Sequence, residues 1–147
     1  MVEETSKLKS ELKPVPGVRT GTAASGIGYA DRPDLLMAAF DMGTTVAGVL
    51  TTSTTAAAPV RWTRDLLARG ASPNGLVVGA GNANCFTGRR GEETVAYTAR
   101  QAGDLLGCDA GNVYIASTGK IGVQIDLEDM DKAVRAAHAA LAPDGWE

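Results

Sequence analysis

The stretch NVYIASTGKIGVQ, from Asn112 to Gln124, begins as an apolar run fit for a buried strand and finishes on Ser117, Thr118, Gly119 and Lys120. Glycine lets a backbone turn its N–H groups outward, and a threonine hydroxyl beside it supplies a second donor. Two donors aimed at one point suit an oxyanion or a phosphate. In acyl transfer the carbonyl oxygen becomes an alkoxide only in the transition state, where pre-set donors contribute most. Thr118 and Gly119 are thus candidate oxyanion donors. Lys120 places a positive charge next to them, either to help hold an anion or as a solvated lysine.

Two phosphate-binding fingerprints come close and fail. GAGNAN, Gly79 to Asn84, holds the first two glycines of a dinucleotide loop, but Asn84 stands where the third must let helix pack on strand. Around Gly119 and Lys120 a nucleotide-binding loop would need a glycine where Tyr114 sits and a Ser or Thr where Ile121 sits. The short amides of Asn82 and Asn84 bond readily to local backbone. They are candidates for the wall of a site near Thr118, or for folding their own loop. Cys85, Cys108 and the single histidine, His138, are too few and too scattered for a zinc site. Cys85 reads as a small turn residue and His138 as a helix-edge residue, with no partner for a triad.

The elements that must position these residues follow from pattern. Residues 1–15 are a polar lead-in, and GTAASGIGYADRPD, from Gly21, is glycine-rich and turn-prone. Asp34–Asp41 reads as a buried strand, Met42–Thr45 as a turn and Val46–Ser53 as its antiparallel hairpin partner. Pro59 and Gly70 bracket a helix. Gly75–Gly81 is a second buried strand. A long helix follows over Gly91–Gly107, with Val95, Ala99, Ala102 and Leu106 on its inner face. After the strand Asn112–Ser117, a last helix carries Met130, Val134, Ala137 and Leu141 on one face, with Asp126 as its N-cap. The strand–helix–strand order of the middle section favours a parallel crossover, and the whole an α/β fold: a mixed sheet with helices packed on it. The four strands should share one sheet, with an open apolar face.

Composition narrows the function classes. The 147 residues, 44% of them hydrophobic, suffice for one domain with a core. A net charge of -3 with interspersed signs carries no footprint for nucleic acid or an anionic membrane. No apolar run approaches the roughly 18 residues of a membrane span, and MVEETSKLKSELKPVPG lacks the apolar centre of a signal peptide. The expected compartment is the cytoplasm.

The order PGVRTGTAASGIG, AGVLTTSTTAAAPVRWTR, GAGNANCFTG, ASTGKIG resembles the N-terminal part of the ornithine acetyltransferase family, the ArgJ-type bifunctional glutamate N-acetyltransferases. Their pattern is P-x-G-F, G-V-F-T-T-N…A-A-P-V, N-S-G-N-A-N-A-C-T-G and S-T-G-V-I-G, and the match runs from Pro16 to Gly122, making 16–147 the α-chain portion. The resemblance implies a threonine-nucleophile enzyme, made as a precursor that cleaves itself into α and β chains. The β chain's N-terminal threonine takes acetyl from N-acetylornithine and passes it to glutamate in a ping-pong cycle. Thr118 and Gly119 match the family's oxyanion hole. The resemblance also implies an αββα-type layered ArgJ/DmpA-like fold completed by the second chain, an α2β2 assembly, and no cofactor or metal. The segments expected to carry the substrate lysine and the nucleophile lie beyond these motifs, so no residue here is assigned as nucleophile. Departures stand at Val18, Ser53, Ala80, Cys85, Phe86 and Lys120, which bear on substrate identity. The alternatives are the α part of a related Thr- or Ser-nucleophile amidohydrolase or aminopeptidase, and a non-catalytic binding domain built on GAGNANCFTG.

Overall fold

The computed structural model describes residues 13–146. Most of the lead-in expected over 1–15 therefore lies outside the described residues. Four strands form one sheet: β1 (Val18–Ala23), β2 (Leu35–Phe40), β3 (Gly75–Asn82) and β4 (Val113–Lys120), in the order β1-β2-β3-β4. β1 pairs antiparallel with β2, β2 antiparallel with β3, and β3 parallel with β4. The described residues also form three α-helices, α1 (Ala58–Ala68), α2 (Gly88–Leu106) and α3 (Leu127–Ala139), and a short 3-10 turn at Ala110–Asn112. The mixed sheet and the parallel crossover through α2 agree with the sequence pattern.

One expectation fails. Val46–Ser53 is not a strand, and no hairpin joins it to β2. The antiparallel neighbour of β2 is instead Val18–Ala23, within and just ahead of a stretch that its glycines mark as turn-prone. Gly21 is there for packing: a Cβ on it would collide with the backbone of Ala137 and Ala140 at the end of α3. The free edge of β1 is taken by the C-terminal stretch, where Thr20 and Ala142 exchange backbone hydrogen bonds of 3.0 Å in each direction. Val46–Ser53 pairs with neither sheet edge and runs largely exposed, with Val49 99% exposed.

The core lies between one face of the sheet and α2 and α3. Leu35, Met37, Val77, Val113 and Ile115 from alternate strand positions meet Val95, Ala99, Ala102, Met130, Val134 and Ala137 from the helix stripes. Asp126 caps α3 as expected, its carboxylate accepting from the N–H of Glu128 at 2.8 Å. Strand alternation turns Leu36, Phe40, Leu76, Val78, Ala80 and Ala116 to the other face, where each is half-buried or exposed. Among the described residues no helix covers that face, although Ala38 and Tyr114 on it are buried.

α1 sits against the outer edge of β4. Trp62 donates its indole N–H to the carbonyl of Val113 at 3.0 Å. The Thr63 hydroxyl donates to the carbonyl of Ile115 at 2.8 Å and accepts from the N–H of Ile115 at 3.4 Å. Side chains of a helix thus satisfy a strand edge that would otherwise be open to mispairing. Replacing Thr63 by Val leaves both backbone groups of Ile115 without that partner. The expected cost is about 1–3 kcal/mol, read as a lower denaturant midpoint at unchanged slope.

Candidate active site

β4 does not stop at Ser117. Its parallel ladder with β3 continues through Ala80 opposite Thr118, Gly81 opposite Gly119 and Asn82 opposite Lys120. The Ser-Thr-Gly segment is therefore strand, not turn. Both backbone groups of Ile115 face α1, so alternation sends those of Ser117 and Gly119 to the same outer edge. α1 covers that edge only as far as Ile115, which leaves the N–H of Gly119 directed outward from an exposed residue. The Thr118 side chain follows Tyr114 and Ala116 onto the sheet face that carries no helix, and Thr118 is exposed too. Thr118 on the helix-free face and the N–H of Gly119 on the uncovered end of the edge thus belong to neighbouring exposed residues. Exposed Lys120 follows them.

Gly119 can be nothing but glycine. Its φ of 135° is disfavoured for any side chain, and a Cβ would overlap the carbonyl carbon of Gly81 and the nitrogen of Asn82. Gly81 in turn lies against Gly28: a Cβ on Gly81 would strike the Gly28 backbone, and one on Gly28 the carbonyl oxygen of Ala80. Three backbone segments are thus stacked in contact.

The loop after β3 is braced internally. Asn82 accepts the N–H of Asn84 at 2.8 Å and donates its amide to the carbonyl of Val123 at 3.1 Å. Asn84 donates to the carbonyl of Gly91 at 3.0 Å and accepts the Thr87 hydroxyl at 2.7 Å. Both asparagines are buried, at 5% exposure, and their amides bond the loop to its own surroundings. Ser117, also on the β4 segment, donates to the carbonyl of Ala83 at 2.8 Å. Asn84 and Phe86 adopt positive φ, 43° and 55°, the first tolerable for Asn and the second strained. Phe86 is 70% exposed.

In the sequence Asp34 reads as the close of a turn-prone stretch and the start of a buried strand, with no site role. In the structure it is 4% exposed. Its carboxylate accepts four hydrogen bonds, from the N–H and hydroxyl of Ser25 at 2.6 and 2.7 Å and from the N–H groups of Gly28 and Tyr29 at 2.8 and 3.2 Å. Burial acts to raise its pKa, but the bonds from Gly28, Ser25 and Tyr29 outweigh it and hold the carboxyl below the ordinary value of 3.8. The available signal was an acid flanking a Gly/Ser-rich loop, a pattern shared by many turns.

Cys85 and Cys108 are free thiols, and burial with the neighbouring charge of Asp109 pushes that of Cys108 up. Half-buried His138 lies in the last turn of α3. Among the described residues no cluster of three or more His, Cys, Asp or Glu is placed to hold a metal ion, and no helix is long and apolar enough to cross a membrane.

Known proteins share this architecture. The arginine biosynthesis bifunctional protein ArgJ of Nitrobacter winogradskyi is 43% identical over 139 residues, which cover 92% of this chain and 33% of the relative. The Bartonella henselae protein of the same name is 46% identical over 120 residues, or 82% of this chain and 29% of that one. The chain thus spans about a third of the length of these relatives. The ornithine acetyltransferase of Mycobacterium tuberculosis, solved with ornithine, superposes with a TM-score of 0.82 at 27% identity, over 88% of this chain and 69% of that one. ArgJ of Bacillus halodurans, at 22% identity and a TM-score of 0.77, shares the fold. The ArgJ family model matches residues 19–145. That match takes in every strand from Arg19 onward, the asparagine loop and the Thr118–Gly119 corner, and the chain belongs to the ArgJ family.

Proposed function

We propose that this chain is the α portion of a threonine-nucleophile acetyltransferase that moves acetyl from N-acetylornithine to glutamate in arginine biosynthesis, and that it supplies the oxyanion hole. The observation that carries the reading is the corner formed by the Thr118 hydroxyl and the Gly119 N–H. A substrate carbonyl placed there receives two donors as it becomes an alkoxide, and pre-set donors need no reorganisation at that moment. The nucleophile comes from elsewhere: a β chain whose N-terminal threonine uses its own amine as base. Asn82 and Asn84 brace the wall of the site from behind, and Lys120 adds positive charge at its rim.

Two features support completion by further polypeptide. The solved Mycobacterium chain is matched over 69% of its length, the curated relatives over about a third of theirs, so the solved chain is the shorter, as a piece cut from a precursor is. The helix-free part of the sheet face around Ala116 and Thr118 and the exposed, β-prone Val46–Ser53 are surfaces such a partner would cover. Two such pairs make the α2β2 assembly, in the cytoplasm. The 147-residue chain alone is accordingly expected to self-associate, and the amides of Thr45–Leu50 to exchange rapidly in it but slowly in the full-length protein. A monomer that melts cooperatively, with identical exchange in both forms, would count against this.

The decisive assay gives the full-length protein N-acetylornithine and glutamate. Ping-pong formation of N-acetylglutamate and ornithine is expected. Acetate release indifferent to glutamate, or cleavage of peptide N-termini, would favour the amidohydrolase or aminopeptidase reading. No turnover of any of these by folded, full-length protein would leave a binding domain.

A further inference from the structure

The oxyanion corner is held in place from the far side of the sheet. Gly119 rests on Gly81, and Gly81 rests on Gly28. Gly28 belongs to a loop whose Ile27 packs against the core and whose polar ties converge on one point: Ser25, Gly28 and Tyr29 all direct donors into one buried carboxylate, that of Asp34. The backbone of Asp34 is anchored at both ends of this path. Its N–H donates to the carbonyl of Ala23 on β1 at 3.0 Å, and its carbonyl accepts from the N–H of Ala80 on β3 at 2.8 Å. Ala80 pairs with Thr118 and Gly81 with Gly119 in the parallel ladder. One side chain therefore clamps the loop whose backbone backs the strand that backs the oxyanion donors.

We propose that Asp34 is a positioning residue for the oxyanion site, acting through the Ser25–Tyr29 loop and the stack of Gly28 on Gly81 on Gly119. This rests on the reading of Thr118 and Gly119 as oxyanion donors. The clamp needs a carboxylate. Both oxygens are used as acceptors, by Ser25 on Oδ1 and by Gly28 and Tyr29 on Oδ2. An asparagine in its place turns an NH2 donor against one of these N–H sets, so the loop must move away and the glycine stack loosens. Donors that stabilise charge present only in the transition state are sensitive to placement, and a shift of about 1 Å can cost about 10²-fold. Substrate binding in the ground state, made mostly by other contacts, should change little.

The experiment uses the full-length, self-cleaved enzyme, with rates counted per acetylated threonine so that loss of folded protein does not register. Asp34→Asn is expected to lower kcat about 10- to 100-fold with KM within about twofold, the signature of a group acting on the transition state alone. Asp126→Ala, which removes only the cap of α3, serves as the destabilised control: a lower Tm with unchanged kcat. If Asp34→Asn behaves like that control, the assignment is overturned. Should Asp34→Asn yield no folded enzyme, Ser25→Ala decides. It removes one of the four bonds, so a several-fold fall in kcat at constant KM supports the clamp and a wild-type kcat overturns it. Thr118→Ala, measured in parallel, separates this inference from its foundation. Loss of kcat there with none in the Asp34 and Ser25 variants sinks the clamp and leaves the oxyanion reading standing. Wild-type kcat in Thr118→Ala sinks both.

Discussion

Thr118→Ala in the full-length enzyme is expected to lower kcat about 10²–10³-fold, the range found when other oxyanion holes lose one donor. The hydroxyl acts on an oxygen that carries full charge only in the transition state, so the loss belongs in kcat and not in KM. Stability should hardly change. Thr118 is exposed on a sheet face that no described helix covers, and its hydroxyl makes no hydrogen bond to another described residue. Self-cleavage of the precursor is also attack on a carbonyl, and it should slow as well if the same corner serves it. Acetyl transfer measured on folded protein of matched concentration settles the matter: a near wild-type kcat together with a lowered Tm would return Thr118 to a purely structural role.

Gly119→Ala should be more damaging, and in a different way. The substitution adds a methyl group where the backbone of Gly81 and Asn82 already lies, at a φ of 135° that alanine resists. Overpacking costs about 1–3 kcal/mol, and a disfavoured backbone conformation about 1–3 kcal/mol more. Both strike the last pairs of the β3–β4 ladder and displace the N–H that faces the site. The expected outcome is a fall of several °C in Tm together with a kcat depressed beyond that of Thr118→Ala, because the strand carrying both donors moves. A stable Gly119→Ala enzyme with normal turnover would show that the added methyl is absorbed without moving this N–H, and would overturn the expected strand displacement.

The Asp34 clamp also carries a stability signature with a definite sign. Its folded-state pKa is depressed, so its contribution is fully present above the ordinary value of 3.8 and is lost as pH falls through the lower, folded-state value. Acid unfolding of the Asp34→Asn variant should accordingly lose the part of its pH dependence that lies in that acidic window.

Much of this protein was determined by local pattern. The stripes of Val95, Ala99 and Ala102 and of Met130, Val134 and Ala137 are buried as their spacing requires, because a helix face repeats every few residues whatever lies opposite it. Three strands, the parallel crossover and the cap at Asp126 were legible for the same reason. The Thr118–Gly119 pair could be singled out as a candidate site, since its residue types announce donors and its neighbouring motifs have a fixed order. Strand partnership was not legible. Val46–Ser53 and Val18–Ala23 each combine β-prone residues with one glycine, Gly48 and Gly21, yet only the second is a strand. What decided it was the close approach of Gly21 to the end of α3 and the pairing of Thr20 with Ala142, contacts between residues far apart in the chain. The clamp was equally hidden. Gly28, Gly81 and Gly119 are ordinary loop and strand glycines until the register of β3 with β4 and the fold of the Ser25–Tyr29 loop stack their backbones. Periodicity reports which face a residue takes. Only the tertiary structure decides which backbone it then touches, because that depends on register and on the absence of a Cβ at each point of contact.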